Sequence, residues 1–232
     1  QISGVLSMIK GVIFDMDGVI IDSNHIIFEN WSVIFKKKFN KIIDKKEFAM
    51  HLGESAKHFL EFFVEKFELN VSNENLLLEL KNNYRQNLEH KIILKKSVIK
   101  TLKMLKENNY KTALATGANK DTALRVIKKF EIEKYFDYII GGDEVKRAKP
   151  NPEIFLKAAQ GLKLKPNECI VIEDAKKGIV AANSANIKVI SIPDDITKYQ
   201  DHSIADFHLK SMNELNFEFI MSIIQHKKSK NS

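Results

Sequence analysis

Cysteine is nearly missing from this chain: Cys169 stands alone among 232 residues. One thiol closes no intramolecular disulfide and builds no cysteine-based zinc site. Glycine (9) and proline (4) are also sparse, which excludes collagen-like and low-complexity chains. No apolar run reaches the ~20 residues that span a bilayer, so no membrane partner is expected. The stretch Gln1–Ser7 lacks the basic end and apolar body of a signal peptide. It reads as an addition before a natural start at Met8, and the expectation is a soluble, monomeric protein of the reducing cytoplasm. Lys+Arg number 37 against 30 Asp+Glu, a net charge of +7. The lysines form scattered short runs such as Lys36 to Lys38 and Lys128-Lys129, without the aromatic strands of an RNA-binding sheet. Solvated helix faces account for that charge, and no specific nucleic-acid partner is expected.

What is present is a globular composition, 44% hydrophobic and 29% charged, long enough for a large core. Ile9 to Phe14 is a nearly continuous apolar run, the mark of a strand buried on both faces. Similar runs recur at Lys111 to Ala115, Tyr138 to Ile140, Cys169 to Ile172 and Lys188 to Ile192. Helical spacing fills the gaps at Ser97 to Asn108, Lys120 to Phe130, Pro152 to Leu162 and Lys176 to Ala185. Buried strands alternating with helices predict an α/β fold built on a doubly wound parallel sheet.

One region breaks the alternation. From about Asp22 to Leu94 the spacing is helical throughout. Ile26, Ile27, Asn30, Trp31, Ile34 and Phe35 mark one helix face; Phe59, Leu60, Phe62, Phe63 and Phe67 mark a second; Leu76, Leu77, Leu80 and Tyr84 mark a third. The expected organisation is a core of residues 8–22 and 95–224, an inserted α-helical cap of 23–94, and flexible termini at 1–7 and 225–232. An insertion leaving the carboxyl end of the first strand should overhang the place where such sheets bind ligands.

The residues suited to chemistry follow the predicted strands. Asp15 and Asp17 lie just past the first, and two buried carboxylates this close are costly without a cation or a task. Gly18 permits the sharp exit that turns both toward one ligand. An EF-hand is excluded because Val19, Ile20 and Ile21 supply no oxygen ligands. Thr116-Gly117 follows the second run and offers hydrogen bonds to an anion. Lys149 sits in an extended turn held by Pro150 and Pro152, and Glu173-Asp174 ends a later run. Each has a plain structural alternative: a turn cap for Thr116, a surface charge for Lys149, a helix cap for Glu173-Asp174. Taken in order, they converge on one rim of one sheet.

Asp15-Met16-Asp17-Gly18-Val19, then Thr116, Lys149-Pro150 and Glu173-Asp174, is similar to the four motifs of the haloacid dehalogenase superfamily. The helical insert and the adjacent Glu-Asp resemble the branch of β-phosphoglucomutases and small sugar-phosphate phosphatases. The resemblance implies Mg²⁺-dependent phosphoryl transfer through an aspartyl phosphate. Asp15 would be the nucleophile and Asp17 the general acid/base. Asp15, the Asp17 carbonyl and Asp174 would bind the metal, with Glu173 binding directly or through water. Lys149, Thr116 and Gly117 would hold the phosphoryl oxygens. Dehalogenases of the superfamily lack the second Asp, so Asp17 favours phosphate esters.

The expected function is a phosphatase of a small phosphorylated metabolite, such as a sugar phosphate. The alternatives are a β-phosphoglucomutase-type mutase and, from another class, an inactive phosphate- or nucleic-acid-binding version of the fold. Mutases of the branch carry a His on the first cap helix and an Arg beyond the cap-loop Gly. Here those positions read Ile27 and Ala56, which favours water as the acceptor. Within the cap loop, Lys57 and His58 are expected to face the leaving group.

Overall fold

A computed structural model of the chain describes residues 9–53 and 56–225. The expectations for 1–7 and for most of 225–232 therefore fall outside the described residues. Strands β1 (Gly11–Phe14), β2 (Lys111–Ala115), β3 (Tyr138–Ile140), β4 (Cys169–Glu173), β5 (Lys188–Ser191) and β6 (Phe207–His208) form one parallel sheet. The order is β3-β2-β1-β4-β5-β6. Chain order reverses between β1 and β4, and the crevice beyond the carboxyl ends of those strands is where such sheets take ligands.

The sheet is buried on both faces, as its β-branched runs require. All four residues of β1 and all five of β4 are buried. Alternation along β1 divides its side chains, with Val12 and Phe14 on one face and Ile13 on the other. The first face packs on α5 (Val98–Glu107), α6 (Lys120–Lys129) and α9 (Phe217–Gln225) through Leu102, Leu105, Val126, Ile127 and Ile220. The second packs on α7 (Glu153–Gly161) and α8 (Lys176–Ser184) through Phe155, Ala158, Ile179 and Ala182.

Between β1 and α5 the described elements are helical: α1 (Ser23–Phe39), α2 (Lys45–His51), α3 (Ala56–Lys66) and α4 (Asn73–Lys91). They enclose an aromatic cluster of their own, in which Trp31 stacks on Phe59 at 4.5 Å and meets Phe48 edge-on at 5.9 Å. Two of the expected helix faces are shared with the sheet: Ile26 and Tyr84 join the hydrophobic cluster of the core. The entering and leaving stems lie side by side, with the Asp22 amide donating to Ile93 O (3.1 Å) and the Lys95 amide to Ile20 O (2.9 Å). Among the described residues no helix is long and apolar enough to cross a membrane.

Candidate active site

The site forms where β1, β2 and β4 end. Asp15 leaves β1 with its amide bonded to Ile172 O of β4 at 3.0 Å, so the two acidic segments are tied at the backbone. Met16 is 1% exposed and anchors the turn between Asp15 and Asp17 in the core. Gly18 then adopts φ +74, where a side chain would strain the backbone and a Cβ would stand 2.0 Å from Asp174 Oδ2. Glycine is required there because the turn passes directly over the acidic residue of β4.

Asp15, Glu173 and Asp174 are all buried, and each offers a carboxylate oxygen within 4.8 Å of the others. Lys149 lies between them. Its Nζ donates to Asp15 Oδ1 at 2.5 Å and to Glu173 Oε1 at 2.7 Å. Burial works against the lysine's charge, yet the Asp15 and Glu173 carboxylates outweigh it and hold the ammonium above its usual range. The opposite imbalance governs the acids. Burial pushes the Glu173 carboxyl up to about 7, the Lys149 charge opposing. Asp174 is raised well above the usual carboxylate range by burial and by the nearby Glu173, Asp194 and Asp15. One lysine does not neutralise three buried carboxylates, and a hard, all-oxygen donor set of this kind suits a small divalent cation.

Asp17 is turned elsewhere. Its Oδ1 accepts from Ser23 Oγ at 2.6 Å, outside the carboxylate triad. Burial, then the Asp15 charge, pushes its carboxyl up to about 6, against the pull of the Ser23 and Thr116 hydroxyls and of Lys149. Thr116 is fully buried at the end of β2, and its Oγ1 also accepts from the Ala118 amide at 3.1 Å, so the turn-cap alternative holds in part. Glu173 likewise behaves partly as a cap, with Oε2 accepting from the Asp174 and Ala175 amides at 3.1 and 3.3 Å. Gly178 allows this: a Cβ there would lie 1.8 Å from Glu173 Oε1.

A cavity of about 370 Å³ opens over these groups, within the range of small-molecule sites. Asp15, Asp17, Gly117, Lys149, Glu173 and Asp174 all line it, so six of the sequence-predicted positions meet in one place. Thr116, next to Gly117 in the chain and fully buried, is not among the lining residues. Lys57 and His58 do not join them. Both are exposed on α3, and Lys57 lies 3.8 Å from Glu61 one turn along the same helix. The helical insertion instead contributes Asn24, Ile27, Leu52 and Gly53.

Sequence reasoning missed the groups that hold the site in shape. Ser23 and Asn24 are buried at the start of α1, where the Asp22 side chain makes no capping bond. Asn24 Nδ2 donates to Asp174 Oδ2 at 2.7 Å and to Asp194 Oδ2 at 2.9 Å. Gln200 and Lys177 reach from the core to the insertion. Gln200 Nε2 donates to Ala49 O and Leu52 O at 2.8 and 3.2 Å, and Lys177 Nζ to Gly53 O at 2.7 Å. The available signal was a polar pair opening an otherwise apolar helix face, which reads equally well as a cap.

Residues 12–192 match the haloacid dehalogenase-like hydrolase profile. The chain is 32% identical over 139 residues to the "Phosphorylated carbohydrates phosphatase" of Thermotoga maritima, spanning 60% of this chain and 64% of that one. It is 34% identical over 97 residues to "Protein CbbY" of Rhodobacter capsulatus, spanning 42% and 43%. The matches thus span less than two thirds of either relative. The solved β-phosphoglucomutase of Clostridium difficile superposes with a TM-score of 0.76 at 30% identity, covering 96% of this chain and 100% of that one. The profile takes in β1 through β5 and with them every acidic and basic group lining the cavity from the core, so the chain belongs to the haloacid dehalogenase-like hydrolase family.

Proposed function

We propose that this protein is a Mg²⁺-dependent phosphatase of a small phosphomonoester, acting through an aspartyl phosphate on Asp15. The observation that carries the reading is the meeting of Asp15, Asp17, Lys149, Glu173 and Asp174 in one cavity at the strand ends. The name of the Thermotoga relative supports a phosphorylated small molecule as substrate. Asp15, Asp174 and Glu173, with the Asp17 backbone carbonyl, would hold Mg²⁺, which supplies charge neutralisation for the phosphoryl oxygens.

The side chains account for the remaining chemistry. An Asp15 carboxylate oxygen attacks phosphorus, the bond from phosphorus to the leaving oxygen breaks, and Asp17 delivers its proton to that oxygen. A carboxyl raised to about 6 retains a usable protonated fraction near neutrality, which suits this role. Asp17, now ionised, takes a proton from water as that water attacks phosphorus and the bond to Asp15 breaks. Lys149 screens the Asp15 charge from the incoming phosphoryl oxygens, and Thr116 with the Gly117 amide binds them. Residues 23–94 act as a cap over a core of 8–22 and 95–224, excluding bulk water and contacting the leaving group.

The likeness to a solved β-phosphoglucomutase favours a second reading, a phosphosugar mutase. Ile27 in the cavity wall argues against it, because a hydrocarbon there cannot relay a proton or grip a distal phosphate. The test is turnover of simple phosphomonoesters with and without Mg²⁺. Asp15→Asn should abolish it. Asp17→Asn should slow phosphorylation of Asp15 by alkyl esters by about 10²–10⁴-fold and by p-nitrophenyl phosphate far less, since that leaving group departs without a proton. Hydrolysis of the phosphoenzyme should slow alike for both. Equal losses on both esters in the phosphorylation step would refute the acid assignment. Glucose 6-phosphate forming from β-glucose 1-phosphate faster than free phosphate would establish the mutase instead.

A further inference from the structure

The polar groups of the cavity are unevenly committed. Lys149 is held by two carboxylates, and both donors of the Asn24 amide nitrogen are spent on Asp174 and Asp194. Among the described residues, what remains for the insertion to offer a leaving group is Ile27, Leu52, Gly53 and the side-chain carbonyl oxygen of Asn24, an acceptor without a donor beside it. A polyol placed there would lose water from several hydroxyls and find at most one side-chain acceptor, Asn24 Oδ1, in exchange. Sugar recognition is poorly served by such a wall.

Lys177 is the exception on the opposite side. It lines the same cavity from the first turn of α8, and its ammonium reaches across to the Gly53 carbonyl. That bond uses one of three donors. Among the described residues no carboxylate pairs with Lys177, whereas its neighbour Lys176 lies 3.5 Å from Asp201. A cation in the first turn of a helix also opposes the helix dipole, so local helix energetics do not explain it. Lys177 is therefore a cation in the cavity wall whose charge is not neutralised by any described carboxylate.

Resting on the phosphatase reading, we infer that Lys177 selects the leaving alcohol. It favours a compact phosphomonoester whose alcohol carries a second anionic group, a carboxylate or another phosphate. The phosphoryl group occupies the acidic end under Lys149, and the second anion meets the free donors of Lys177 beside Leu52 and Gly53. Size is set by the apolar wall, and charge by this one ammonium.

The experiment compares two-carbon esters matched in size: 2-phosphoglycolate and ethylene glycol bisphosphate as anions, ethyl phosphate as the neutral ester, and phosphoethanolamine as the cation. Wild-type kcat/KM should favour at least one anion over ethyl phosphate by about tenfold, the scale of one hydrogen bond to a charged group. Which anion gains more identifies the second group. Lys177→Arg should keep the preference, Lys177→Met should bring it near unity, and Lys177→Glu should reverse it toward phosphoethanolamine. An equal fractional loss on charged and neutral esters in Lys177→Met would overturn the inference and leave Lys177 as a brace for Gly53. Calorimetric binding of the same esters to Asp15→Asn protein separates the two readings. A binding preference that follows residue 177 supports the selection even if wild type turns over no ester, while equal affinities overturn it even if turnover is brisk.

Discussion

The acids of the site make the protein's stability depend on pH in an unusual direction. Most carboxylates in folded proteins are held below their ordinary pKa and favour the fold as pH rises. Asp17 is raised instead, from 3.8 to about 6, chiefly by burial. The native state therefore holds this proton more tightly than the unfolded chain does. Its stabilising contribution is complete below about pH 4 and is lost as pH rises through 6. A shift of about two units corresponds to about 3 kcal/mol. For a chain of this size that is roughly 6–12 °C in Tm. Glu173, raised from 4.5 to about 7 by burial, acts in the same direction over a slightly higher window.

The assay is unfolding of chelator-treated wild type and Asp17→Asn between pH 4 and pH 7. Asparagine keeps the shape and an acceptor for Ser23 but does not titrate. Subtracting the two curves removes the titrating groups that do not interact with Asp17. The variant should gain about 2–3 kcal/mol relative to wild type across that interval. A difference that stays constant with pH would refute the argument, because it would mean that Asp17 ionises in the folded protein as it does in water. On the proposed metal site, Mg²⁺ should raise Tm more at pH 7.5 than at pH 5, since the carboxylates that would bind it must first lose their protons.

Gly178→Ala should lower phosphatase activity at least tenfold while circular dichroism stays native. Alanine is the better helix former by about 1 kcal/mol, but its Cβ would stand 1.8 Å from Glu173 Oε1 and displace a partner of Lys149. Full activity would show that Glu173 has freedom to move. Phe48→Ala should cost about 3–5 kcal/mol in denaturant unfolding, since Phe48 is fully buried against Trp31, Phe59 and Phe28. A loss below about 1 kcal/mol would mean that the aromatic cluster collapses around the gap.

Most residues legible in the sequence share one property: they follow a short apolar run whose end is easy to see. Asp15, Thr116 and Glu173 are found by locating the buried strand before them, and Lys149 by the prolines around it. Four helices of the core, α5 to α8, were readable for the same reason, within a residue of their observed ends, whereas α9 was not read. Short elements were not. β6 is two residues long, α2 is seven, and neither is long enough to show a period. Lys57 and His58 illustrate a different failure. The loop that they follow does reach the cavity through Leu52 and Gly53, but nothing in a sequence gives the direction of a side chain at the start of α3. The supporting polar residues were hidden by distance. Asn24 meets its two carboxylates 150 and 170 residues further along the chain.

That long-range contact bears on how the two halves of the molecule cooperate. Asp194 does more than receive Asn24. Its other oxygen accepts from the Ile196 and Thr197 amides, both at 2.8 Å, and fixes the loop after β5. Ile196, carried by that loop, is 1% exposed and packs into the aromatic cluster of the helical insertion. Four residues on, Gln200 holds the carbonyls of Ala49 and Leu52 at the end of α2. A short chain of direct contacts thus runs from Asp174 through Asn24 and Asp194 to the loop that seats the insertion. Two stems alone would leave the insertion free to swing about Ile21 and Leu94. With the loop attached, any displacement of α2 pulls on Asp194, and through Asn24 on a carboxylate of the acidic cluster. The position of the insertion and the geometry of the acids are therefore set together, and the side chain that joins them is an uncharged amide, able to bridge two carboxylates without adding a third charge to a buried site.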